Sequence, residues 1–422
     1  MMKIIATADW HLGNMFHGND RLAEQAHFLS RLLEMLEEER PDVLVVAGDV
    51  YDNGNPSAAA QTLYYEFLDS VTARLPGLHI VITAGNHDSP NRLEAPRPIM
   101  ERHRVHIRGK VGRRWEPGEN DAPGRWVNDY DDLLIPIPDD ESGGVKGVIA
   151  AVPYLRSDIA VGDSYAEAVR SFMKELTARA RELYPGRPVV MAAHLYATGS
   201  VIAPRSSERI IVGGQEQVSL SDWPEHPEYL VSGHIHKRQR LGATDWARYP
   251  GSVLPMSFAE KDYRHGVDLV TLANDGTVEV RQLEYAPQRQ LLIIPEEGPD
   301  TRHTPAQLTR IIKSMLTERT SDLPDEEAPY VMLYIHQSKI NADKKREIEE
   351  LIASRNAVLC GTQAVSDTVV HTLDGGDTLR TVEDILERSV MDTLEEAFRM
   401  RHERDLSDRQ REMLTNLLEK LG

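Results

Sequence analysis

Ile82-Thr83-Ala84-Gly85-Asn86-His87-Asp88 decides how this chain is read. The segment closes an apolar run from Leu78 to Thr83, which predicts a buried strand, and stops it in a glycine turn. The turn presents an amide oxygen, an imidazole and a carboxylate at three consecutive positions. An oxygen ligand there suits a hard cation, and the neighbouring imidazole can carry a proton. Four other predicted strand ends finish with residues of the same kinds.

Around that segment, short apolar runs alternate with helical patterns through the first two-thirds of the chain, the signature of an α/β layered architecture. Strands are expected at 2–8, 43–47, 148–152, 189–193 and 229–232, with a hairpin at 267–272 and 278–283 around Asn274-Asp275-Gly276. Helices are expected at 21–39, 57–74 and 165–183. The first carries Leu22, Ala26, Leu29, Leu33 and Leu36 at three- and four-residue spacing, and the second has Ala60, Tyr64, Phe67, Leu68 and Val71 on one face. Residues 111–144 show no clear period and are rich in Gly, Pro, Asp and Asn, which reads as a long surface excursion. After Tyr285-Ala286-Pro287-Gln288 the pattern becomes strand (290–294), helix (305–319), strand (329–336), helix (342–353) and strand (356–360), a small α/β unit of its own. From Asp374-Gly375-Gly376-Asp377 onward the chain is charged and helical. The expected domains are therefore 1–285, 286–372 and 373–422.

A chain of 422 residues exceeds one ordinary core. With 41% hydrophobic and 27% charged residues it has the composition of a globular protein, and no run approaches the roughly 18 apolar residues of a membrane span. A single cysteine, Cys360, leaves no partner for an internal disulfide and no thiolate zinc site, so a reducing cytoplasm is expected. The net charge of −19 argues against indiscriminate binding of phosphates. It leaves room for a local basic groove: Arg102, Arg104, Arg108, Lys110, Arg113 and Arg114 fall close together, in a run that reads equally well as a solvated loop.

Taken by strand end, the polar groups are Asp9 and His11, Asp49, Asn86 with His87, His194, then His234 and His236. In an open α/β sheet, ligands gather outside the carboxyl ends of the strands, so five such ends converge on one volume. Apart from His87 the set holds two carboxylates, one amide and four imidazoles. That is too many for one metal and suits two that share a bridging carboxylate. Oxygen and imidazole ligation without thiolate fits Mn²⁺, Fe²⁺ or Zn²⁺. Two such ions can clamp a phosphate and lower the pKa of water, leaving a proton to be delivered to the departing alkoxide. His87, beside the ligand Asn86, is placed for that role, and Asp88 is expected to orient its ring. Each residue taken singly has an ordinary explanation as a turn former, a cap or a half-buried polar group. The ordered set of five does not.

Asp9-Trp10-His11-Leu12-Gly13, Ala47-Gly48-Asp49-Val50-Tyr51-Asp52, Ala84-Gly85-Asn86-His87-Asp88, Ala193-His194 and Gly233-His234-Ile235-His236 resemble the five motifs of the calcineurin-like metallophosphoesterases. More narrowly, Asp-Val-Tyr-Asp-Asn-Gly-Asn-Pro at 49–56, Tyr249-Pro250-Gly251-Ser252 and Ser257-Phe258 are similar to the SbcD family of bacterial nuclease subunits. The resemblance implies a sandwich of two sheets with helices outside, a smaller capping domain and a helical tail. It implies one metal on Asp9, His11, Asp49 and His236, the other on Asp49, Asn86, His194 and His234, and His87 as the acid. It further implies Mn²⁺ dependence, with exonuclease action on duplex DNA ends and endonuclease action on single strands and hairpins, in DNA repair, recombination and replication. The implied partner is an SbcC-type ABC ATPase with a long coiled coil, joined in a heterotetramer around a homodimer. The implied setting is the cytoplasm, at the nucleoid when DNA is bound. No Gly-x-x-x-x-Gly-Lys-Ser/Thr loop occurs in this chain, which fits an ATPase on another polypeptide. One departure is Asp52, where archaeal and eukaryotic relatives tend to have histidine.

Two other functions share this metal core: a phosphoesterase of small molecules, and a scaffold that keeps the fold without catalysis. The separate 286–372 unit and the tail speak against the first, and the complete ligand set with His87 against the second. Within the tail, Thr381-Val382-Glu383-Asp384 and Ser407-Asp408-Arg409-Gln410 read as helix caps. Leu414, Leu417, Leu418 and Leu421 then fall on one face, which is expected to dock on the base of the ATPase coiled coil.

Overall fold

The segment Met2-Lys3-Ile4-Ile5-Ala6-Thr7 carries apolar side chains on both faces, and the fold buries both. Ile5 packs under helices, while Ile4 and Ala6 face a second sheet. The next strand repeats the division, with Leu44 and Val46 on one side and Val43, Val45 and Ala47 on the other. Strands buried on both faces read as continuous apolar runs, which is why these are visible in the sequence.

The computed structural model describes residues 1–118, 123–139, 142–156, 164–202, 217–241, 244–273, 275–316, 323–336 and 341–365. The predicted tail at 373–422, including both expected caps and its leucine face, lies outside the described residues. The first sheet has six strands in the order Val278–Glu284, Gly266–Leu272, Met2–Thr7, Val43–Ala47, His79–Thr83, Val105–Arg108. The last four run parallel, and the hairpin closes the other edge antiparallel. The second sheet runs Gln239–Arg240, Ala247–Tyr249, Tyr229–Gly233, Val189–His194, Gly144–Ala151, Leu134–Asp139. Between the two sheets lies an apolar layer that includes Val81, Ile149, Val190, Val231 and Val270.

Helices Leu22–Glu39 and Ala58–Arg74 cover the outer face of the first sheet. Ser57 caps the second of these, its side chain accepting from the Ala60 N–H at 3.1 Å. Ala60, Tyr64, Phe67, Leu68 and Val71 are all buried there, so that face is occupied within the chain. Helix Tyr165–Leu183 covers the second sheet with Val169, Phe172, Met173 and Leu176. The result is four layers, helix, sheet, sheet, helix.

The excursion expected at 111–144 is corrected in part. Arg113–Glu116 and Arg125–Asn128 form a two-stranded ribbon, but Leu134–Asp139 is a strand of the second sheet, antiparallel to Gly144–Ala151. Leu134, Ile135 and Ile137 are buried while Pro136 and Pro138 alternate with the isoleucines. Proline is tolerated on an edge strand, where an amide donor is not needed, and its presence hides the period. The basic run before it is largely taken up locally. Arg108 is buried and donates to Glu101 at 2.8 Å, Lys110 donates to Asn91, and Arg114 pairs with Glu116 and Asp131.

A third sheet of three parallel strands, Leu291–Ile294, Tyr330–His336 and Val358–Val365, follows residue 285. Helices Pro305–Met315 and Ala342–Ala353 pack on one face through Leu308, Ile312, Ile348 and Ile352. On the other face, Tyr330 and Met332 meet Phe16 and Phe258. The Tyr330 hydroxyl donates to buried Glu24 at 2.9 Å, and Glu24 is paired with buried Arg21 at 3.0 Å.

Candidate metal centre

Three of the polar strand ends belong to the first sheet and two to the second, so the expectation of a single open sheet edge is corrected. Thr7 lies in register with Val46 and Ala47 with Thr83, and each of these three strands is followed within a few residues by a polar group of the set. In the second sheet His194 pairs in register with Gly233, immediately before His234. The sheets are held so close that glycine is required where they meet. A Cβ on Gly48, which has φ +84°, would fall 2.3 Å from His194 Nδ1, and one on Gly233 would fall 2.1 Å from the Ala47 carbonyl oxygen. Among the described residues nine non-glycine positions have positive φ, and Asp9, His11, Asp49 and His234 are four of them. Strain of this kind persists where the surroundings hold a side chain to one direction.

All seven expected ligands come together. Asp9 is fully buried, and one of its carboxylate oxygens accepts the His234 backbone N–H at 2.9 Å. Its other oxygen, and both ring nitrogens of buried His11, make no hydrogen bond. Asp9, His11 and His236 form one group of atoms able to hold a metal, Asp9, Asp49 and His194 a second, and His11, Asp52 and His87 a third. Asp49 Oδ1 accepts the His87 backbone N–H at 2.9 Å, while Oδ2 lies 3.3 Å from His194 Nε2 and 3.8 Å from His11 Nε2. The Asp49 carboxylate thus faces the first two groups. His194 Nδ1 sits 3.0 Å from the Ala47 carbonyl oxygen, which can only accept, so Nδ1 carries the hydrogen and Nε2 is turned inward. Nε2 meets Asn86 Oδ1 at 2.9 Å, and the same oxygen lies 3.0 Å from His234 Nδ1.

Electrostatics follow from this crowding. Burial acts against an ionised Asp49, yet the neighbouring His194 and His11 hold its carboxyl well below the usual range. Burial likewise opposes charge on His194, but Asp49 pushes its imidazole up to about 9. His234 goes the other way, down to about 3, through burial and the adjacent His194. Burial raises Asp9 as well. Ring nitrogens and carboxylate or amide oxygens are therefore crowded together out of water, with Asp9 Oδ2 and both His11 ring nitrogens unsatisfied. Buried polar atoms without partners are costly, and divalent cations fit this donor set of carboxylate, amide oxygen and imidazole.

His87 is brought to the rim, exposed, its ring centroid 4.9 Å from that of His11. The expectation that Asp88 orients this ring is corrected. Asp88 is buried, and its carboxylate accepts the backbone N–H groups of Val50, Tyr51 and Gly85 at 2.9–3.1 Å. It ties the Asp49 turn to the Asn86 turn, and burial with Asp49 nearby pushes its carboxyl up to about 6. The group at His87 Nδ1 is instead the Asp52 backbone carbonyl, at 2.8 Å. The Asp52 side chain lies 3.4 Å from His11 Nδ1 and accepts from Asn14 Nδ2 at 2.9 Å. Glu260, fully buried behind His236, is a residue that sequence reading passes over. The one signal near it is Ser257-Phe258, three and two residues earlier.

The model of the calcineurin-like phosphoesterases matches residues 2–238, just over half the chain, a span that contains all seven expected ligand residues. The chain belongs to this family. Among its curated relatives, the SbcD subunit of the nuclease SbcCD from Rhodobacter capsulatus is 33% identical over 85% of this chain and 84% of that protein. The SbcD subunits of the same nuclease from Bacillus subtilis and Escherichia coli K12 are 32% and 29% identical, over 64% and 84% of this chain and 66% and 82% of theirs. Within the calcineurin-like phosphoesterases the chain therefore falls in the SbcD branch, as a metal-dependent phosphodiester hydrolase. None of its described helices is long and apolar enough to cross a membrane.

Proposed function

We propose that this chain is the nuclease subunit of a two-component complex and hydrolyses phosphodiester bonds in DNA with two divalent metals, Mn²⁺ being the expected ion. The observation that carries the reading is the buried convergence of Asp9, His11, Asp49, Asn86, His194, His234 and His236 with unsatisfied atoms turned toward one another. Asp9, His11, Asp49 and His236 would hold one ion, and Asp49, Asn86, His194 and His234 the other. Bound there, the ions supply neutralisation of phosphate charge and an ionised water at neutral pH.

The remaining steps belong to the protein. Asp49 is fixed by the His87 amide and held ionised, so it can serve both positions. The Ala47 carbonyl holds a hydrogen on His194 Nδ1, so Nε2 is the nitrogen that would ligate, giving up its proton as the ion binds. Because the Asp52 carbonyl can only accept, His87 Nδ1 keeps a hydrogen in either charge state. Nε2 is then the atom that gives a proton to the leaving alkoxide, as an exposed imidazole at the rim can. The substrates we assign are duplex ends, cut exonucleolytically, and single strands and hairpins, cut endonucleolytically, in DNA repair and recombination. The partner we assign is an SbcC-type ABC ATPase, in a heterotetramer built on a homodimer. Residues 286–372 are proposed as a capping domain and 373–422 as the partner-docking tail.

The test is nucleotide release from linear duplex DNA by purified protein with and without Mn²⁺, beside turnover of a p-nitrophenyl phosphodiester. Mn²⁺-dependent degradation of the duplex is expected. Turnover of the small diester with DNA left intact would replace the nuclease reading by that of a small-molecule phosphodiesterase.

A further inference from the structure

His236 lies in the loop after Tyr229–Gly233, buried, its ring centroid 5.3 Å from that of His11. Its Nδ1 is 3.4 Å from Glu260 Oε1. Glu260 has no exposed surface, and its two oxygens are otherwise directed by the chain: Oε2 accepts the Met256 N–H at 2.8 Å, and the Ser257 hydroxyl donates to Oε1 at 3.2 Å. A carboxylate enclosed this completely is expensive to keep charged unless it is paired. The backbone around the ring is pinned too. The Ser252 N–H donates to the His236 carbonyl at 3.0 Å, and Gly251 (φ +84°) approaches so closely that a Cβ would sit 2.6 Å from that oxygen.

The turn bearing Glu260 is seated against the rest of the molecule. Arg21 donates to the Pro255 carbonyl at 2.6 Å and pairs with Glu24, which accepts from Tyr330 of the third sheet. Phe258, two residues before Glu260, packs on Phe16 beside Tyr330.

We propose that Glu260 is a positioning residue of the metal centre: its carboxylate takes the Nδ1 hydrogen of His236 and so turns the Nε2 lone pair toward Asp9 and His11. Backing of a ligating imidazole by a carboxylate fixes tautomer and orientation and raises the ligand's basicity. The inference rests on the two-metal reading above. Glu260→Gln tests it through a change of donor. If the Gln oxygen stays on the Met256 amide, its NH₂ faces His236 Nδ1 and favours the hydrogen on Nε2, where it blocks ligation.

The experiment is Mn²⁺ titration calorimetry of the full chain, wild type against Glu260→Gln, with melting temperatures in EDTA. Two equivalents are expected in the wild type. In Glu260→Gln one of them should weaken 10- to 100-fold, with the EDTA melting temperature close to wild type and cleavage restored as Mn²⁺ is raised. Raised Mn²⁺ would not rescue a merely structural lesion, and loss of cleavage that no Mn²⁺ concentration restores would overturn the proposal. Unchanged affinity at both sites would overturn it as well. Should Glu260→Gln fail to fold, Glu260→Asp keeps the charge and withdraws it by one methylene. The same site should weaken in that variant, and wild-type affinity would count against the proposal. A wild-type chain that bound no Mn²⁺ would instead bring down the two-metal reading itself.

Discussion

His87 is exposed at the rim with Nδ1 on the Asp52 carbonyl, so its removal takes away a proton donor without stripping a buried ligand. His87→Ala is expected to keep two equivalents of Mn²⁺ by elemental analysis and a near-wild-type melting temperature, while nuclease activity falls by about 10²-fold or more. A drop to one equivalent would make it a ligand instead. The residue scale is where sequence reading reaches furthest. A strand end that finishes in Asp, Asn or His stands out against its apolar run, and all seven such positions are visible that way. The partner of a side chain is harder to see. Adjacency pairs Asp88 with His87, but the Asp88 carboxylate serves amides 37 and 38 residues away at Tyr51 and Val50. Glu260 lies 24 residues beyond His236, in a turn where only the neighbouring Ser257-Phe258 stands out.

At the scale of elements, the centre depends on how closely two sheets approach. Gly48 lies between Ala47 and Asp49 and faces His194 from the opposite sheet. Gly48→Ala would put a side chain into a left-handed backbone conformation at a cost of about 1–3 kcal/mol, before the overlap with His194 is counted. Urea unfolding should therefore shift to lower midpoint and Mn²⁺ affinity should fall with it. An unchanged midpoint would mean that the sheets can part without penalty. Elements buried on both faces, or with a clean helical stripe, are legible from their pattern, and helix Tyr165–Leu183 matches its expected bounds. Leu134–Asp139 is not legible, because its two prolines imitate a loop while its edge position makes them harmless.

For the whole molecule, the division of the site between two sheets cannot be read from strand order, since register and pairing across sheets leave no local mark. The proposed partner surface is a separate matter, argued from the sequence pattern of residues 381–422 alone. Leu417→Asp with Leu421→Asp is expected to abolish co-purification with the ATPase while Mn²⁺-dependent cleavage of single strands persists. Full-strength binding by a chain ending at Arg380 would move the docking site elsewhere. The central claim, that two sheets jointly hold a pair of metals across Asp49, is tested most directly by anomalous diffraction at the manganese edge from Mn²⁺-loaded crystals. Two peaks per chain are expected, one in contact with Asp9, His11, Asp49 and His236, the other with Asp49, Asn86, His194 and His234. A single peak, or a pair in which Asp49 touches only one, would contradict it.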